Sequence, residues 1–113
     1  MRILVIDDEP GLRKAITDTL IAEKHEVLVA ESAEQGMRIA KRENPDAIIC
    51  HLDCPEDGDG LEVIRAFHTK ARIIAMSGIW SHQENALQVG AYVFLKKSFS
   101  RDFWEDLSRH LTD

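Results

Sequence analysis

Short unbroken apolar runs alternate along this chain with longer stretches in which apolar positions recur every three or four residues. Ile3 to Ile6, Val27 to Ala30, Ala47 to His51, Arg72 to Met76 and Ala91 to Lys96 are too short and too uniformly apolar for amphipathic helices. They are predicted as buried strands. Leu12, Ala15, Ile16 and Leu20 predict a helix from Gly11 to about Glu23. Ser32 and Gln35 form a capping-box pattern that opens a helix to about Arg42. Asn44-Pro45 stops it, because the residue before proline is pushed out of the helical region. After a loop rich in Asp, Pro and Gly from Asp53 to Gly60, the spacing of Leu61, Ile64 and Phe67 predicts a helix from Leu61 to about Thr69. Ser81 and Glu84 repeat the capping pattern, opening a short helix that Gly90 ends. A last helix begins near Ser100 with Phe103, Trp104, Leu107 and Leu111 on one face.

Five strands thus alternate with five helices, which implies an α/β domain whose parallel sheet is covered on both faces. Right-handed crossovers leave few topologies. The expected one is a flavodoxin-like (βα)5 fold with strand order 2-1-3-4-5, a single domain over residues 1–113. Its functional crevice should lie at the carboxyl ends of strands 1 and 3. The 113 residues suit one core, and 44% hydrophobic with 30% charged residues is an ordinary globular balance. A net charge of −6 disfavours non-specific nucleic-acid binding. No apolar stretch approaches the ~20 residues of a membrane span, and a cytoplasmic location is expected. Cys50 and Cys54 do not make a disulfide framework and read as free thiols.

Polar residues collect where the strands end. Strand 1 ends in Asp7-Asp8, strand 3 in His51, strand 4 in Ser77 and strand 5 in Lys97. No glycine-rich phosphate fingerprint interrupts the first turn, and no nucleophile–base pair suggests small-molecule turnover.

This set, in this order and spacing, resembles the receiver domain of two-component response regulators over the whole chain. Ile3-Leu4-Val5-Ile6-Asp7-Asp8-Glu9-Pro10 matches the family's opening. Pro45-Asp46, Pro55 and Gly60-Leu61-Glu62 match its middle. Ser77, Gly90-Ala91, Phe94, Lys97 and Phe99 match its end. The resemblance implies that Asp7, Asp8 and an aspartate ending strand 3 bind Mg²⁺, and that this aspartate takes a phosphoryl group from a histidine kinase. It also implies that Ser77 and Lys97 hold phosphoryl oxygens, and that Phe94 is the aromatic whose rotamer reports the signalling state. Such transfer depends on positioning and on neutralising charge, here by a metal, a lysine and a hydroxyl.

The departure is at the acceptor. In the family it stands four residues before the proline and five after the aspartate that enters strand 3. Counting back from Pro55 and forward from Asp46 both give His51. Asp53 is the alternative acceptor: it shares the parity of His51, but two extended residues carry it roughly 6–7 Å further out. Histidine makes the pocket less negative than a third acid would, and nearby acids favour its protonated form. His51 is therefore expected close to Asp7 or Asp8, weakening Mg²⁺, which prefers oxygen ligands.

The expected function is an atypical receiver acting by protein–protein contact, not an enzyme. Its alternatives are phosphorylation at Asp53 and a metal-binding regulatory module built on Asp7, Asp8 and His51. The expected partner is a histidine kinase or another signalling protein, with a homodimer possible through the helix 4–strand 5–helix 5 face near Trp80 and Trp104. Neither nucleic acid nor membrane is expected as a partner of this domain. Ser98 stands where the family has proline, so the bond after Lys97 is expected trans.

Overall fold

A computed structural model describes residues 1–52, 57–78, 82–98 and 100–111. The strands are β1 (Arg2–Ile6), β2 (Glu26–Ala30), β3 (Ala47–His51), β4 (Arg72–Ser77) and β5 (Val93–Lys96). The helices are α1 (Pro10–Ala22), α2 (Ala33–Glu43), α3 (Asp57–Phe67), α4 (His82–Gln88) and α5 (Arg101–Arg109). All four strand pairings are parallel, and the order is β2-β1-β3-β4-β5, as expected.

Side chains alternate across this sheet, so each strand contributes to two cores. Leu4, Ile6, Ile48, Ile73, Ala75 and Phe94 pack with Ala40, Ile64 and Ala86 from α2, α3 and α4. Ile3, Val5, Ile49, Ile74, Met76 and Leu95 pack with Ile16, Leu20 and Leu107 from α1 and α5. Within α1, Leu12, Ile16 and Leu20 are buried, while Ala15 faces solvent.

The helix ends follow local chemistry. Pro10 occupies the first turn of α1, where its missing N–H is no loss. Ser32 Oγ accepts from Gln35 N at 3.1 Å, and Gln35 Oε1 accepts from Glu31 N at 2.7 Å. The return bond of this capping box reaches one residue before the cap. Asn44 ends α2 in the left-handed region with φ 49°. Ser100 Oγ accepts from Phe103 N at the start of α5. Ser81 lies outside the described residues.

Two elements start more than one residue from expectation. β5 begins at Val93, two residues late: Ala91 N–H is spent closing the turn after α4 by donating to Ala86 O, and the chain first meets β4 where Tyr92 N–H donates to Ile73 O. α3 begins at Asp57, four residues early, absorbing glycines expected to be loop. At Gly60 close packing outweighs the low helical propensity of glycine. A Cβ on Gly60 would lie 2.6 Å from Leu52 Cδ2 and 3.3 Å from His51 O, so only glycine lets α3 approach β3 this closely.

Gly90 has φ +117°, and a Cβ there would meet the His68 ring at 2.5 Å. Gly90→Ala should destabilise the domain by about 1–3 kcal/mol, read from the midpoint of urea unfolding. Exposed His68 can swing aside, so most of the loss should come from the backbone.

Candidate active site and family

Register and alternation assemble the site. Ile6 pairs with Cys50, so the next residues, Asp7 and His51, sit side by side at the carboxyl edge of adjacent strands. Cys50 is fully buried among the residues of the opposite face, so it and His51 cannot share an ion. On β5 the same alternation turns Leu95 and Lys97 toward the α1–α5 side, where Asp7 also lies.

Asp7 is buried and held from several directions. Its N–H donates to Ala30 O, Glu9 N donates to its Oδ1 at 2.9 Å, and Arg13 Nη1 donates to its backbone carbonyl. Arg13 also reaches Glu31 at 3.6 Å. Lys97 Nζ lies 3.6 Å from Asp7 Oδ2, with its side chain only 7% exposed. Of the lysine pair, Lys97 is therefore the one at the site. Its backbone N–H donates to Ser77 O, and the Ser77 side chain is wholly buried. The bond after Lys97 is trans.

His51 is seated on both acids at once. Its Nδ1 lies 3.0 Å from Asp7 Oδ1 and 3.2 Å from Asp8 Oδ1. Burial alone would raise the Asp7 carboxyl. The hydrogen bond from His51, the Glu9 N–H and the positive charge of His51 and Lys97 outweigh it and hold the group below its ordinary value. Asp8 is 56% exposed, so the two neighbouring carboxylates live in different media. The ligand atoms of Asp7, Asp8 and His51 all lie within 4.8 Å of one another.

The structure thus joins Asp7, Asp8, His51 and Lys97 by side-chain contacts and ties Ser77 in through the backbone. Phe94 is buried in the layer with Ala75 and Ala86. Asp53, Cys54, Pro55, Trp80 and Phe99 lie outside the described residues. Arg13 was not foreseen. Its only sequence signal is its place one turn into α1, six residues after the acid it braces.

A family model described as the response regulator receiver domain matches residues 3–107. The chemotaxis protein CheY of Bacillus subtilis is 36% identical, over 89% of this chain and 88% of that protein. The transcriptional regulator KdpE of Escherichia coli is 32% identical over 86% of this chain, which spans only 44% of KdpE. Among solved structures, TrrA of Thermotoga maritima in complex with Mg²⁺-BeF superposes with a TM-score of 0.83 at 29% identity, covering 97% of this chain and 98% of that one. The fold, the polar edge and these matches converge: the chain belongs to the response regulator receiver domain family.

Proposed function

We propose that this receiver works in two-component signalling without carrying phosphate at the end of β3, and that it acts through contact with a protein partner. The observation that carries the reading is the seat of His51 Nδ1 on both Asp7 and Asp8. In a receiver with aspartate there, three carboxylates face a divalent cation and one oxygen attacks phosphorus. Here Nδ1 lies within hydrogen-bonding distance of both acids, so its lone pair is not offered to a phosphoryl group. The same contact occupies the oxygens that Mg²⁺ would take. Two acids and a nitrogen are a poor set for an ion that demands near-octahedral oxygen coordination. Lys97 remains placed to meet an anion, but transfer to an acceptor needs the neutralising charge and the nucleophile together.

The partner class is a histidine kinase or another signalling protein, met in the cytoplasm; among the described residues no helix is long and apolar enough to cross a membrane. Exposed Leu87 on α4 and Tyr92 before β5 favour the α4–β5–α5 face for docking or for pairing of two copies. The alternative acceptor, Asp53, is tested together with His51. After incubation with acetyl phosphate and Mg²⁺, the intact mass should show no gain of ~80 Da, the mass of one phosphoryl group. A gain that vanishes in Asp53→Ala or in His51→Ala would overturn the reading and name the acceptor.

A further inference from the structure

The cluster that suits Mg²⁺ poorly has the donor set and spacing of a different ion. We propose that Asp7, Asp8 and His51 form a site for a borderline first-row divalent metal of the zinc type, an assignment that rests on the placement of His51 argued above. Two carboxylate oxygens and one imidazole nitrogen suit zinc, cobalt, nickel or iron, and they leave coordination positions for water or a partner's side chain.

The distances support this. With metal–ligand bonds of about 2.1 Å, neighbouring donors lie about 3.0 Å apart around an octahedral centre and about 3.4 Å apart around a tetrahedral one. His51 Nδ1 stands 3.0 Å from Asp7 Oδ1 and 3.2 Å from Asp8 Oδ1, so two edges of such a polyhedron already exist. The third edge, between the acids, closes by movement of Asp8, whose side chain is 56% exposed. Asp7 needs no movement, since Glu9 N, Ala30 O and Arg13 hold its backbone and Oδ1. Asp7 Oδ2 is a second, independent pointer. It is buried and accepts no hydrogen bond among the described residues, and the Lys97 ammonium stands 3.6 Å from it. A buried carboxylate oxygen that is ion-paired but not hydrogen-bonded has acceptor capacity that a cation can use. On binding, the metal replaces the proton on Nδ1, which is released to solvent.

The probe is Zn²⁺ alone, titrated calorimetrically into the whole chain beside a Mg²⁺ titration, with Co²⁺ absorption as a spectroscopic check on the ligand field. Wild type should bind one Zn²⁺ at least tenfold more tightly than Mg²⁺. In His51→Asp, which keeps the fold by installing the family's residue, the Zn²⁺ to Mg²⁺ affinity ratio should fall at least tenfold. Asp8→Asn, at an exposed position that packing does not need, should also weaken Zn²⁺ at least tenfold. The proposal is overturned if wild type binds no Zn²⁺, if the affinity ratio is unchanged in His51→Asp, or if binding survives both substitutions. That last result would assign the ion to surface histidines such as His25 or His110. No phosphoryl donor is present in these titrations, so their failure and a failure of the signalling reading are separate results.

Discussion

His51→Asp is expected to turn a chain that gains no mass from acetyl phosphate into one that takes up about one phosphoryl group, and to raise Mg²⁺ affinity at least tenfold. The substitution changes three things at once. It removes the nitrogen lying against Asp7 and Asp8, supplies a third oxygen ligand, and provides a nucleophile at the end of β3. Tenfold in affinity is about 1.4 kcal/mol, a modest demand when a neutral or positive group gives way to a carboxylate beside a divalent cation. The remaining parts are in place: Lys97 lies at the pocket and its backbone is bonded to Ser77. Without metal the variant gathers three acids with less to neutralise them, so Mg²⁺ should stabilise it against thermal unfolding far more than it stabilises wild type. Intact mass and melting curves with and without Mg²⁺ check both halves. Equal Mg²⁺ affinity in the two proteins would show that His51 does not govern the metal.

The second large effect concerns the scaffold. Leu107→Ala should destabilise the domain by about 2–5 kcal/mol, a large share of the roughly 5–15 kcal/mol typical of whole proteins. Leu107 is wholly buried on α5, a nine-residue helix too short to persist without packing. It shares its core with Phe103 on the same helix, with Leu111 just beyond the helix end, and with Ile3, Ile49 and Ile74 on the sheet. Unfolding by urea, followed by circular dichroism, gives the number. A change below about 0.5 kcal/mol would mean that α5 contributes little to the fold.

The sheet was legible because its inner strands β1, β3 and β4 are covered on both faces and appear as nearly continuous apolar runs. In a parallel sheet the polar ends of strands 1, 3, 4 and 5 then fall at one edge. Asp7, Asp8, His51 and Lys97 could therefore be grouped before any distance was known. The contact of His51 with both acids went further than the expected contact with one, because alternation fixes which face a residue takes but not where its ring comes to rest. The start of α3 was misplaced for a related reason. Gly58 and Gly60 look like loop residues in isolation, and the need for Gly60 is visible only once Leu52 and the His51 carbonyl stand beside it. Arg13 escaped notice because a single arginine on a helix carries no mark of the backbone carbonyl it grips.

The unequal exposure of the two adjacent acids gives the site one fixed wall and one mobile wall. Asp7 is clamped within the fold, whereas Asp8 reorients in solvent on the fast timescale of exposed side chains. A ligand entering the site would meet Asp7 already ordered and would have to order Asp8, so Asp8 carries a conformational cost that Asp7 does not.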